Sequence, residues 1–361
     1  AGNLPTADAV DPAETDDDYP QKLFSPLIWT GDGNTSRAIT GLGFQPDWIW
    51  FKSRSSAFSN RLYDTSRGIS GTGGKRLFSN TAVAENDQTS GQDISAVGSD
   101  GFTTGASSAN YTNDTNSGGL QAGWFWRANG GTTAANSLGD IATVTQVDPS
   151  GCFSIVTYTG DGTAGQTLGH GLSVAPDMII VKNRDQGDSW AVYHSAAGNA
   201  AHFILDTDAA YTTSSAYWHS TTPTSTVWTT GNDGKLNSSS EKYVAYCFAN
   251  CEGYIKTGSY VGNANADGTF VYTGLKPAFF MCKPIVTGNW RIQDTKRSPY
   301  NVADETLFPN HSNAEESNSS NEIDILSNGI KMRASDSNYN QATTFVYLAM
   351  SFNPFQYATA R

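Results

Sequence analysis

The sequence states one strand-turn-strand word three times, and that repetition limits the fold more than any single residue does. GLGFQPDWIWFK starts at Gly41, GLSVAPDMIIVK at Gly171 and GLKPAFFMCK at Gly274. Each word has a Gly-Leu turn, a proline (Pro46, Pro176, Pro277), a run of bulky apolar residues and a lysine (Lys52, Lys182, Lys283). Internal repetition sets the architecture, because each copy must be one structural unit.

Further matches extend each copy to about a hundred residues, the size of a small domain. A second strand-like word follows each lysine: Arg61 to Thr65, Trp190 to His194, and Trp290 to Asp294. Asp100-Gly101, Asp233-Gly234 and Asn328-Gly329 are dipeptides that favour tight hairpins. Each copy closes on an aromatic or apolar strand, at Trp124 to Trp126, Tyr243 to Phe248 and Phe345 to Phe352. The organisation expected is an acidic extended arm at 1–23, repeats at 24–130, 152–253 and 254–361, and a linker at 131–151.

Abundant Gly, Ser, Thr and Asn, 12% aromatics and the lack of any long stretch with apolar residues at helical spacing point to an all-β chain with few, short helices. Strand-sized runs between polar turns predict three tandem antiparallel β-sandwiches. Apolar residues on consecutive positions at Trp48 to Phe51, Met178 to Val181 and Phe279 to Cys282 need cover on both faces, so these strands belong mid-sandwich. The Trp190 to Tyr193 word and the closing strands alternate better and read as half-exposed.

A formal charge of −12 repels a phosphate backbone, so nucleic acid is not an expected partner. No apolar run approaches the roughly 20 residues that span a bilayer, so membrane insertion is not expected either. Cys152, Cys247, Cys251 and Cys282 lack zinc spacing and read as buried free thiols. The first 22 residues carry Asp8, Asp11, Glu14, Asp16, Asp17 and Asp18, and cannot form a core. They read as an extended arm or as an attachment segment for a neighbouring subunit.

The search for chemistry yields no nucleophile with a base beside it, no metal motif and no dinucleotide motif, so no catalytic residue, metal or cofactor is assigned. His194 has Asp64 and Asp294 as counterparts, which fits a polar strand end better than a base. Asp206 with Asp208, and Glu315 with Glu316, are the weakest of carboxylate candidates. Thr30-Gly31-Asp32-Gly33-Asn34, Thr159-Gly160-Asp161-Gly162 and the group Asn263, Asn265, Asp267 resemble half a calcium loop, but turn chemistry accounts for them. Tyr111, Tyr217, Trp218 and Trp228 sit in polar segments and are the candidate ligand-binding residues, as platforms for sugar stacking.

The words GLGFQPDWIWFKSR, RLYDTSRG, VAPDMIIVKNRDQGDSWAVYH, EKYVAYCFANCEGY, LSNGIKMR and SFNPFQYATAR resemble the tandem β domains in tail-fibre-like virion proteins of marine and environmental tailed bacteriophages. That resemblance covers about residues 24 to 361 and implies lectin-like or jelly-roll-like sandwiches on a particle surface. Its upstream particle-attachment region has no counterpart here apart from the acidic arm. The function expected is a non-enzymatic tail fibre, spike or receptor-binding component that meets other virion proteins and a host polysaccharide or protein. Homo-oligomers are common for such parts, and a trimer is favoured. The rival expectations are a capsid decoration or head-fibre protein, a polysaccharide depolymerase and a secreted adhesin.

Overall fold

The structure, a computed structural model, describes residues 17, 19–69, 74–87, 93–105, 111–335 and 339–352. It is all-β, with several antiparallel sheets and, among the described residues, helical turns of at most four residues. No described helix is long and apolar enough to cross a membrane.

The repeated words reappear as repeated topology. In the first copy the opening strand Phe24–Thr30 pairs with the closing strand Leu120–Trp126, which pairs with the proline-led strand Trp48–Ser53, which pairs with Arg61–Asp64. The second copy keeps that order with Phe153–Thr159, Lys242–Phe248, Met178–Asn183 and Ala191–His194. The third keeps it with Ile255–Val261, Thr344–Ser351, Pro277–Pro284 and Arg291–Asp294. Register is kept as well: Trp48, Met178 and Phe279 face Trp126, Phe248 and Met350.

A smaller sheet backs each main one. It is built from Ala38–Thr40, Gly101–Thr104 and Ile94–Gly98 in the first copy, and from Phe270–Tyr272, Gly329–Met332 and Ile323–Leu326 in the third. In the second copy it has two strands, Gln166–Gly169 and Val227–Thr230. Between the layers lie separate apolar clusters, including Ile49, Phe51, Phe102 and Phe125, then Ile179, Val181, Trp218 and Trp228, then Phe280, Ile330 and Phe345.

The opposite faces of the three main sheets meet one another. Trp48, Trp50, Trp124 and Trp126 join Met178, Ile180, Tyr246 and Phe248, and Phe279, Met281, Leu348 and Met350, in one cluster. Trp48 is near its centre, with ring centroids 4.2 Å from both Trp126 and Tyr246. This shared core is the second cover that the consecutive apolar runs require, and all six residues of Trp48–Ser53 are buried. Fully burying one large apolar side chain contributes about 1.5–3 kcal/mol, so the shared core outweighs any single polar contact at the joints.

Several expectations change. Ala191–His194 and all of Lys242–Phe248 except Lys242 are buried on both faces, because the face expected to meet water lies on the shared core. Residues 131–151 are not a linker. They hold Ala134–Asn136 and Thr143–Val147, a paired hairpin added to the edge strand Phe153–Thr159, with Ile141 buried in the second copy's cluster. Asp100-Gly101 and Asn328-Gly329 do end hairpin turns. Asp233 instead caps the helical turn Gly234–Asn237, its carboxylate accepting from the Lys235 backbone N–H at 3.0 Å. Of the acidic arm, Pro20–Leu23 form a helical turn and Asp17 pairs with Arg127 at 3.1 Å, while residues 1–16 and 18 lie outside the described residues.

The recurrent lysine now has a physical reason. The Lys52 Nζ donates to the carbonyls of Ser53 (2.7 Å) and Ser56 (3.2 Å), Lys182 to Asn183 (2.5 Å) and Gln186 (3.0 Å), and Lys283 to Pro284 (2.9 Å) and Val286 (3.1 Å). Each thus satisfies loop carbonyls that strand pairing leaves open. Burial pushes the three ammonium groups down, to about 7, about 8 and about 8. Cys152, Cys247 and Cys282 are buried and Cys251 is half-buried.

Candidate functional site

Several polar side chains join one copy to the next. Trp190 Nε1 donates to the Phe78 carbonyl (2.8 Å), Trp290 Nε1 to that of Ile204 (2.9 Å) and Asn60 Nδ2 to that of Phe308 (2.9 Å). Where the first copy has Asn60 in place of tryptophan, Trp50 on the neighbouring strand supplies an indole that donates to Asn60 Oδ1 at 3.2 Å. Backbone bonds follow the same path, from Glu85 to Arg184, Tyr211 to Ile285 and Glu315 to Arg54. The second copy therefore bonds the first, the third bonds the second, and the first bonds the third. The ring closes at a joint with no peptide link.

Buried charge locks two of the three joints. Arg184 holds Glu85 at 2.8 Å and Arg54 holds Glu315 at 2.6 Å. Behind them Arg67 spans Asp64 (2.5 Å) and Glu85 (2.9 Å), and Arg297 spans Asp294 (2.5 Å) and Glu315 (3.0 Å). Tyr211 and Ile285 take these places between the second and third copies and pack on the shared core. Asp206 accepts from the Trp190 backbone N–H at 2.8 Å, and Glu316 lies in a short strand pair opposite Thr306. The Asp206 and Glu315 carboxylates are thus bonded into the fold.

The exchange of aspartate for histidine at 194 follows from the partner. Tyr246 donates its hydroxyl to Asp64 at 2.7 Å and Trp124 its indole N–H to Asp294 at 3.1 Å. Leu348 has no donor, and His194 Nε2 instead donates to the Tyr347 carbonyl at 3.0 Å while Nδ1 accepts from the Ala196 N–H at 3.2 Å. Both ring nitrogens are satisfied in the neutral form, and burial pushes the imidazole down to about 4. The unfolded chain takes up this proton first, so stability is complete above about pH 6.5 and falls as pH drops toward 4. By pH 4.5 the loss from this group is about 2–3 kcal/mol. Urea titrations at pH 7 and pH 4.5 should show that loss in the native chain and a smaller one in His194→Gln; equal losses would contradict the assignment.

The calcium-like loops are closed by asparagine. Asn113 Nδ2 donates to Asp32 Oδ1 (2.5 Å) and the Asn34 carbonyl (2.7 Å), Asn237 to Asp161 Oδ1 (3.1 Å) and the Thr163 carbonyl (2.8 Å), and Asn340 to Asn263 Oδ1 (2.7 Å) and the Asn265 carbonyl (2.7 Å). An amide nitrogen thus occupies the centre of each oxygen cluster. Among the described residues no group of three or more His, Cys, Asp or Glu side chains is placed to hold a metal.

The candidate sugar platforms are not available as platforms. Tyr217, Trp218 and Trp228 are buried in the second copy's cluster. Trp218 meets Tyr193 edge-on at 5.6 Å, Trp228 meets Tyr158 at 6.1 Å, and Tyr217 stacks on His202 at 3.4 Å. With only two strands in its backing sheet, this copy fills its interior with these rings. Tyr111 is half-buried, with the Arg61 guanidinium 3.9 Å from its ring centroid and Phe58 edge-on at 5.0 Å. Tyr339 repeats that arrangement with Arg291 at 5.4 Å, which makes it a structural contact.

An aromatic surface does exist elsewhere. Phe270–Tyr272 is an edge strand whose middle residue, Val271, points into the core while Phe270 is 43% and Tyr272 65% exposed. Val261, 61% exposed, lies beside them, where Thr269 Oγ1 donates to its carbonyl at 2.7 Å. Tyr272 lines a cleft of about 360 Å³ at the tight joint of the second and third copies, with Asn250, Glu252, Lys256 and the Gly274-Leu275 turn. Asn250 and Glu252 are exposed and Lys256 half-buried. The matching strands carry Ala38 and Thr40 in the first copy and Thr167 and Gly169 in the second. That contrast, Phe-Val-Tyr against Ala-Ile-Thr and Thr-Leu-Gly, was the signal in the sequence.

A family model with the description "Domain of unknown function (DUF7483)" matches residues 19–354. No curated protein and no solved structure matches the chain.

Proposed function

We propose, from the premise that the chain belongs to the DUF7483 family, that it is a non-enzymatic contact module of a bacteriophage virion. In this reading it is a tail-fibre, spike or receptor-binding component, built from three β-sandwich copies of one ancestral unit. The observation that carries it is the use of polar groups. The recurrent lysines and asparagines close loops of their own copy and the strand-end tryptophans and acids bond the next copy, whereas the cleft at Tyr272 leaves an aromatic ring open to a partner. A ring of fused copies is a stiff mount for a contact surface, and rigidity lowers the ordering cost of binding. Its partners are other virion proteins and a host-surface polysaccharide or protein.

Immunogold labelling of particles with an antibody to this chain tests the reading. Label at the tail tip supports it, label over the head assigns a capsid decoration, and unlabelled particles contradict a virion role. Incubation with host polysaccharide should release no oligosaccharide; release abolished by a single carboxylate substitution would replace the contact module with a depolymerase.

A further inference from the structure

We infer, building on the contact-module reading above, that the cleft beside Tyr272 binds a saccharide unit. The apolar face of a sugar ring rests on the Tyr272 ring, and its hydroxyls bond Asn250, Glu252 and Lys256. The cleft volume of about 360 Å³ falls in the range of small-ligand sites. Asn250 Oδ1 accepts from the Thr257 N–H (2.7 Å) and Oγ1 (3.3 Å), which leaves Nδ2 to donate; with the Glu252 carboxylate and the Lys256 ammonium the cleft offers both donors and acceptors to vicinal hydroxyls.

Tyr272 is held as a platform from behind. Its backbone is paired with Gly329 in the strand ladder, and its ring lies against Gly274, where an added Cβ would stand 3.6 Å from the Tyr272 hydroxyl. Gly274 has φ +74°, a conformation that favours glycine, so the turn that backs the ring also carries no side chain into it. An aromatic ring with few degrees of freedom loses little entropy on contact.

The second copy shows why this edge takes a saccharide and not an added strand. There the same edge is covered by the chain's own hairpin: Ile141 N–H donates to the Thr167 carbonyl at 3.0 Å and Thr143 Oγ1 to the Gly169 carbonyl at 2.8 Å. A Cβ at Gly169 would lie 2.2 Å from Asn136 Oδ1, so any side chain there would have to displace the Asn136 amide of the covering hairpin. Tyr272 is the counterpart of Gly169, so the third copy carries a large side chain where the covered edge of the second carries none.

The test uses the full chain with maltohexaose, chitohexaose and an alginate hexauronate as probes, read by saturation-transfer NMR and titration calorimetry. At least one probe should bind saturably. Tyr272→Ala should weaken that binding about 10-fold or more, equivalent to about 1.4 kcal/mol, and Tyr272→Phe should stay within about 3-fold because the ring face is kept. Melting temperatures of both variants should match the native chain, since the side chain is exposed. Failure of all three probes to bind, or equal binding by Tyr272→Ala, overturns the inference. Binding of a peptide copying residues 139–148 but of no saccharide overturns it in favour of strand addition. Labelled particles without saccharide binding remove this inference alone, and saccharide binding without particle label removes only the virion reading.

Discussion

Replacing Arg297 with methionine is expected to destabilise the chain by about 3–5 kcal/mol, the usual result of removing one partner from a buried ion pair. Arg297 is buried and donates to Asp294 at 2.5 Å, to Glu315 at 3.0 Å and to the carbonyls of Ile292 (2.9 Å) and Glu305 (3.0 Å). Its guanidinium also faces the Trp124 ring of the first copy at 5.7 Å. The substitution leaves Asp294 buried with the Trp124 indole and two backbone N–H groups as its donors. Arg54 still holds Glu315, so the loss should be dominated by the stranded Asp294. Urea denaturation measures it; a change below about 1 kcal/mol, typical of a surface pair, would contradict a closed joint.

Trp48→Ala is expected to cost about 3–5 kcal/mol, the range for deleting a large buried aromatic side chain. It removes contacts with Trp126 in its own copy and with Phe153, Tyr246 and Phe248 in the next. Because that core is common to all copies, calorimetry should show one transition moving to lower temperature. Loss of a separate first transition, with the remainder unmoved, would mean that the copies fold independently.

The main-sheet strands were legible because each has a word that recurs with its proline and lysine. The consecutive apolar positions at Trp48 to Phe51 signalled double burial, whereas the recurrent lysine marked the repeat without showing the loop carbonyls it serves. What covers them was not legible. The joints between copies are written in pairs far apart in the chain, Asp64 with Tyr246, Asp294 with Trp124 and His194 with the Tyr347 backbone, and no local pattern links such partners. The hairpin at 134–147 was hidden by its Gly, Thr and Ala content, which reads as linker until an open sheet edge is known to lie beside it. Trp218 and Trp228 misled for the opposite reason: polar neighbours suggested exposure, but a two-stranded backing sheet needs their bulk. Tyr272 carries little local signal, because alternate aromatics in a short strand look like core.

Closure of the ring between the first and third copies is most directly tested by the double variant Arg54→Cys/Glu315→Cys. The Glu315 N–H donates to the Arg54 carbonyl at 2.8 Å and the two side chains meet at 2.6 Å, so the two backbones run close enough for a disulfide to be tried between them. Mild oxidation of the purified chain should give a 54–315 bridge within a monomer, seen by peptide mass mapping and faster migration on a non-reducing gel. A bridge found only between two chains, or none while both thiols stay reactive, would contradict the ring.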